Sequence, residues 1–174
     1  MAVVKLICCL AIVVGCGFAG FSKSALIYER LELLKDFKQC LCNLQISMEY
    51  AATPMAKGLS TCVFLGCRQG VAAFFKAVAA AAEQGSGDMG EIWREEFSKN
   101  AELAPLTQQD RELFLSFAKN LGTTAFSGQK QNFVEIDRRL SHRIETLQPE
   151  TDKKSRMYRS VGILGGLALA VVLI

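Results

Sequence analysis

The stretch MYRSVGILGGLALAVVLI, residues 157–174, decides the architecture of this chain. From residue 161 onward it carries no charged side chain, and it follows the basic residues Lys153, Lys154 and Arg156. An apolar segment behind a basic cluster is typical of a helix that enters a membrane. We therefore predict a C-terminal transmembrane segment over residues 157–174.

The strictly apolar part of this segment is short for a complete span. Its fourteen residues reach about 21 Å as a helix, against about 30 Å of hydrocarbon. We therefore expect Tyr158 and Arg159 to lie in the membrane interface with the basic cluster, which contacts anionic headgroups. Small residues at four-residue spacing can let helices approach closely. The candidates are Gly162 and Gly166 here, and Cys16 and Gly20 in the first apolar segment.

Residues 1–23 contain a second apolar run, from residue 6 to residue 21. We interpret it as an uncleaved N-terminal transmembrane segment, although it also has the pattern of a signal peptide. The tetrapeptide Val13-Val14-Gly15-Cys16 resembles a bacterial lipobox, which would anchor the protein by lipid at Cys16. Basic residues flank the interior side of both apolar segments, so the positive-inside rule places residues 24–156 in the cytoplasm.

Composition excludes several classes of function for the interior. A net charge of +3 without a basic, aromatic-rich patch argues against nucleic-acid binding. The seven cysteines are an odd number and favour a reducing compartment over a disulfide framework. Cys40 and Cys42 have the wrong spacing for a thioredoxin motif, and His142 is the only histidine, which makes a zinc site improbable.

Candidate catalytic groups are equally weak. Ser141 and His142 are adjacent in sequence rather than placed as nucleophile and base, on a stretch rich in arginine. The sequence therefore predicts no catalytic, metal or cofactor site, and we expect no enzymatic activity.

Helical periodicity covers the interior. The patterns predict helices over 24–48, from Pro54 to about 65, over 68–84, from Asp88, from Thr107, and from Thr124 onward. Thr53 is expected to cap the second helix, and Thr107 with Asp110 to form a capping box. Pro149 is expected to bend the last helix near residue 148, and whether it also breaks the helix stays open. The predicted fold class is an all-α antiparallel bundle of five or six helices, flanked by the two transmembrane helices.

Several motifs resemble those of the stage III sporulation protein AB family. Residues 157–166, MYRSVGILGG, are similar to that family's K-M-Y-R-S-L-G-V-L-x-G ending. Residues 49–55, EYAATPM, resemble its I-x-Y-x-x-T-P-L segment, residues 91–93 its E-A-W, and residues 106–110 its L-x-x-x-D. Leu121-Gly122, Gln129 and Gln131 also occur in the family's order. The resemblance extends over nearly the whole chain.

The resemblance implies a role in endospore formation. It implies a bundle similar to the cytoplasmic domains of type II secretion F proteins, lying in the mother-cell cytoplasm at the outer membrane around the forespore. It also implies that the chain docks an ATPase, the stage III sporulation AA protein, within a secretion-like channel complex. A second copy of the chain is a further candidate partner, which would make a homo-oligomer. The alternative function from the residues is a lipid-anchored (Cys16) or thiol-dependent extracytoplasmic binding protein.

Overall fold

The computed structural model describes residues 25, 28–50, 53–85, 87–121 and 126–173. These ranges contain six α-helices and no strand, so the all-α prediction is confirmed for the part of the chain described. A single 3-10 turn, Ala101–Leu103, lies between the fourth and fifth helices. The helices are α1 (28–50), α2 (Met55–Thr61), α3 (Gln69–Glu83), α4 (Met89–Lys99), α5 (Gln108–Asn120) and α6 (Phe126–Leu173).

The chain divides into two compact units. The bundle unit spans Glu32–Glu145, and the terminal unit combines Met1–Leu31 with Thr146–Ile174. The domain boundaries predicted from sequence, 1–23, 24–156 and 157–174, concern membrane insertion and stay a prediction.

Phe37 on α1 lies at the centre of the bundle unit. Its ring stacks on Phe114 of α5 at a centroid distance of 4.4 Å and meets Phe74 of α3 edge-on at 5.4 Å. Phe97 of α4 stacks on the same ring at 5.9 Å. All four side chains are buried, and aromatic pairs at these distances add to the stabilisation from burial itself. Phe37 therefore joins four helices in one aromatic core.

The start of α3 packs against the 3-10 turn through a glycine. A Cβ atom on Gly70 would lie 2.6 Å from the Cβ of Glu102, closer than side chains pack. The Asn100 side-chain amide donates a hydrogen bond to the Gly70 carbonyl at 2.8 Å. Only glycine fits this backbone approach without moving the turn.

Local start signals were read correctly at two helices. Asp88 is the N-cap residue of α4, and Thr107 and Asp110 form the predicted capping box at α5. At α2 the N-cap is Pro54 rather than Thr53, one residue later than predicted. That helix also ends at Thr61, not near residue 65, and the Asn43 side chain donates to the Cys62 carbonyl where the helix stops.

Pro149 does not end the last helix, and the bend expected near residue 148 stays a prediction. Helix α6 continues through Pro149 to Leu173. A proline inside a helix removes one backbone hydrogen bond, here to the carbonyl of Glu145, and the bonds on either side remain available. Glu145 is exposed, so water can solvate the carbonyl that loses its donor.

Candidate membrane-interface site

The basic residues predicted to lie at the membrane are exposed on α6, in the terminal unit. The side chains of Lys153, Lys154 and Arg156 are all exposed to solvent. Lys154 makes a weak ion pair with Glu150 one turn earlier, with an Nζ–Oε2 distance of 3.5 Å. These side chains are therefore free to meet a charged surface.

Apolar side chains follow the basic residues along the same helix and are unusually exposed. Met157 is 52% exposed, Val161 61% and Leu164 65%. Residues 157, 161 and 164 share one face of a helix, because they are separated by four and then three positions. Tyr158, at the start of this stretch, is 37% exposed. A cationic turn followed by an exposed apolar face is suited to the boundary between headgroups and hydrocarbon.

Polar contacts within the terminal unit hold this stretch in place. The Tyr28 hydroxyl donates to the Asp152 carboxylate, with an O–O distance of 2.5 Å. Thr151 and Ser155, on the same helix as Asp152, are buried. Leu31, at the end of the first segment of this unit, is buried as well. The exposed lysines lie beside these anchored residues, so the buried face of α6 fixes which side chains face outward.

Sequence reasoning did not single out Tyr28, Thr151, Asp152 or Ser155. Asp152 is the one acidic residue directly beside the two lysines, and that break in the charge pattern was the available signal. Its partner Tyr28 is 124 positions away and has no signal of its own in the sequence.

The remaining predicted site residues are described only in part. Arg159, Gly162 and Gly166 lie within α6, and their side-chain surroundings are outside what the structure describes. Cys16 and Gly20, with the whole predicted first transmembrane segment, also lie outside the described residues. Among the residues that are described, no helix contains a stretch long and apolar enough to cross a membrane.

A second candidate surface is a groove between α1 and α6 in the bundle unit. It encloses about 270 Å³ between Leu41 and Cys42 on one side and Phe133 and Val134 on the other. Lys38 crosses one end, where its Nζ donates to the Ser141 hydroxyl at 2.7 Å and lies 3.6 Å from Asp137 Oδ1. Val134 is 56% exposed at the rim. We call this the α1–α6 groove.

The Ser141 hydroxyl makes two hydrogen bonds beside the α1–α6 groove. The Ser141 hydroxyl accepts from Lys38 and donates to the Asp137 carbonyl at 2.8 Å, which gives it a structural role. His142 is exposed on the next position of the helix. Within the described ranges, no group of three or more histidine, cysteine or carboxylate side chains is arranged to hold a metal ion.

Comparison with known proteins finds one family model that matches the sequence of the chain. The family model for stage III sporulation protein AB matches residues 5–174. That range includes both apolar segments, the bundle unit and the basic cluster of α6. Neither the curated proteins nor the solved structures contain a significant match.

Proposed function

Because the chain belongs to the stage III sporulation protein AB family and so acts in sporulation, we propose that it is a non-enzymatic membrane platform. In this proposal it is part of a secretion-like channel complex between mother cell and forespore. It docks a cytoplasmic ATPase, the stage III sporulation AA protein, to the outer membrane around the forespore. The bundle unit faces the mother-cell cytoplasm, and the two predicted transmembrane segments of the terminal unit, residues 1–23 and 157–174, insert into lipid.

The observation that carries the proposal is the order of exposed side chains along α6. Lys153, Lys154 and Arg156 come first, and exposed apolar side chains follow within the next two turns. Each basic side chain near an anionic membrane surface contributes about 1 kcal/mol to association. Transfer of the apolar face beyond them from water into hydrocarbon is favourable in proportion to the apolar area that leaves water.

The distribution of charge between the two units supports the same placement. The terminal unit contains seven basic and three acidic residues, and the bundle unit thirteen basic and fourteen acidic. The positive charge of the chain is therefore concentrated where the apolar segments are. A nearly neutral bundle is suited to a protein partner rather than to lipid.

The α1–α6 groove is the surface we propose for the ATPase. Protein interfaces commonly have an apolar centre and a polar rim. Here Val134 is an exposed apolar side chain at the rim of the groove, and Lys38 with Asp137 supplies a charged edge. The walls are already formed by packed side chains, so little ordering is required when a partner binds.

Site-specific photo-crosslinking in sporulating cells tests the docking. A photoreactive amino acid replaces Val134 at the groove, or Glu95 on the exposed face of α4 as the matched control. We expect a covalent adduct with the ATPase from position 134 and none from position 95. An adduct from position 95 alone would place the docking surface on α4 and refute the groove.

Protease access in intact mother cells tests orientation separately. The proposal predicts a protected bundle, whereas the alternative of a lipid-anchored or thiol-dependent extracytoplasmic protein predicts an exposed one. The mass of the mature N-terminus then decides whether Cys16 carries lipid.

A further inference from the structure

Cys40 interacts with two other cysteine side chains of the bundle unit, Cys62 and Cys67. Cys40 is on α1, Cys62 follows the last residue of α2, and Cys67 precedes α3. The Cys40 and Cys67 sulfurs are 3.9 Å apart. A disulfide requires about 2.0 Å between sulfurs, so a shift of about 2 Å would bring this pair to bonding distance.

The segment that carries Cys67 is held against one face of α1. The Asp36 carboxylate accepts the Arg68 backbone N–H at 3.0 Å, and the Asn43 amide donates to the Cys62 carbonyl at 2.9 Å. Positions 36, 40 and 43 lie on a common face of a helix. Cys67 is thus held beside Cys40 from both directions along the chain.

The same segment can make the small movement that bonding needs. Residues 62–64 and 67–68 are not helical, and residues 65 and 66 form a turn. Gly66, with φ of +95°, adopts a left-handed conformation that glycine tolerates best. A non-helical segment next to Cys67 can adjust its dihedral angles at lower cost than a helix can.

We propose that Cys40 and Cys67 are a disulfide-forming pair, a modification site that takes a hydroperoxide as its oxidant. The half-buried Cys67 reacts first: its sulfur attacks the O–O bond of hydrogen peroxide and becomes a sulfenic acid, and one water leaves. The Cys40 sulfur then attacks the Cys67 sulfur, the S–O bond breaks, and a second water leaves. Two thiols are oxidised and one peroxide is reduced.

Burial and the neighbouring Cys40 raise the pKa of Cys67 to about 12. The thiolate is the nucleophile, so the pair reacts slowly at neutral pH and stays reduced without sustained oxidant. Cys62 is fully buried, and its S–H donates to the Leu59 carbonyl at 3.1 Å. Cys67 is therefore the thiol of the cluster that solvent reaches.

The bond would tie two segments that are 27 positions apart in the chain. It would fix the turn that presents Leu65, whose side chain is completely exposed, to the middle of α1. Closing a loop of this length restricts the unfolded chain and stabilises the folded one. The inference does not depend on the docking of an ATPase.

The test uses the full-length protein in detergent, treated with hydrogen peroxide, alkylated in denaturant and digested with trypsin. Cleavage after Lys38, Lys57 and Arg68 leaves two cysteines in each of the two relevant peptides, so the mass of a linked species does not say which cysteines are joined. The double variant Cys42→Ser/Cys62→Ser removes this ambiguity, because each peptide then holds one cysteine. Mass spectrometry without reduction then identifies the pair.

We expect one linked species, lighter by two hydrogen atoms than the sum of the two peptides and lost on treatment with dithiothreitol. It should be the main oxidised product of the double variant, and it should be absent from Cys67→Ser. Wild-type protein should unfold at a higher temperature after oxidation, and Cys67→Ser should not.

Two results would overturn the proposal. One is a double variant in which Cys67 is oxidised to sulfinic acid while Cys40 remains alkylatable. The other is oxidation of the wild type only to dimers linked through the exposed Cys42, with Cys40 and Cys67 both reduced.

Discussion

The carboxylate of Asp110, which is completely buried, lies 2.5 Å from the guanidinium nitrogen Nη1 of Arg143. The contact joins the first turn of α5 to α6 across 33 positions of the chain. Asp110 also accepts hydrogen bonds from the Thr107 backbone N–H at 2.9 Å and from the Thr107 hydroxyl at 2.7 Å. The Asp110 carboxylate therefore takes part in the capping box of α5 and also binds α6 through Arg143.

Removing Arg143 should destabilise the bundle. Breaking a buried ion pair costs about 3–5 kcal/mol, and we expect about 2–3 kcal/mol for Arg143→Met because Thr107 still satisfies part of Asp110. Thermal unfolding in detergent, followed by circular dichroism, measures the change. The control is Arg138→Met, which breaks an exposed pair with Glu135 and should cost less than about 1 kcal/mol. Equal losses for the two variants would contradict a special role for the buried pair.

Gly70→Ala should destabilise the contact between α3 and the 3-10 turn. The added Cβ meets the Cβ of Glu102 at 2.6 Å, and that atom is fixed to the backbone, so the turn itself must move. Overpacking of this kind costs about 1–3 kcal/mol, measurable as a lower midpoint in urea. The second change Glu102→Gly removes the clashing atom. Gly70→Ala should therefore cost less stability in the Glu102→Gly background than in the wild type. An equal cost in the two backgrounds would show that the clash is not the cause.

Alkaline pH should destabilise the reduced protein through Cys67. Burial raises its pKa in the folded state to about 12, and the unfolded thiol keeps its ordinary lower value. Between these values the unfolded chain has released the proton and the folded chain has kept it, so stability falls as the pH rises toward 12. Unfolding free energies measured at pH 8 and pH 11 should therefore differ less in Cys67→Ser than in the wild type. An identical pH dependence would refute the raised pKa.

Loss of the α6 basic cluster together with Arg159 should weaken membrane placement. Replacing Lys153, Lys154, Arg156 and Arg159 with glutamine removes about 1 kcal/mol of headgroup attraction per charge and the positive-inside signal. A cysteine at position 174, introduced after the seven native cysteines are replaced by serine and labelled by a membrane-impermeant thiol reagent, reports the side on which the tail ends. The variant should give mixed topology. The matched control replaces four exposed bundle cations, Lys119, Lys130, Arg138 and Arg139, and should leave topology unchanged; mixed topology there would indicate a general charge effect.

Gly166→Leu should weaken assembly if the glycines of the tail are a packing surface. A large side chain at a close helix contact prevents the approach that small residues allow. Native gel mobility in mild detergent measures the assembly state. Ala168→Leu is the matched control, since that position is rotated by about 160° from Gly166 and about 120° from Gly162 around the helix. Unchanged mobility in Gly166→Leu would remove Gly162 and Gly166 from the candidate packing residues.

Much of the local structure could be predicted from the sequence. Helical periodicity identified the helices of the bundle, and Thr107 with Asp110 identified the start of α5. These signals involve residues within one or two turns of each other, so the chain carries them without reference to its fold. The order of basic and apolar residues on α6 is likewise local, and the membrane interface that it indicates stays a prediction.

The end of α2 was predicted wrongly because it depends on a contact with another helix. The end of α2 was placed too late because the Asn43 amide, which binds the Cys62 carbonyl, comes from another helix.

The sequence by itself determined the all-α class, most helix limits, the family and the charge pattern of the tail, because each depends on residue type and short-range spacing. Only the tertiary structure decided that Arg143 meets Asp110, that Tyr28 meets Asp152, and that Cys67 lies beside Cys40. These partners are 27 to 124 positions apart. Their meeting depends on how helices pack and rotate against one another, which no short stretch of sequence contains.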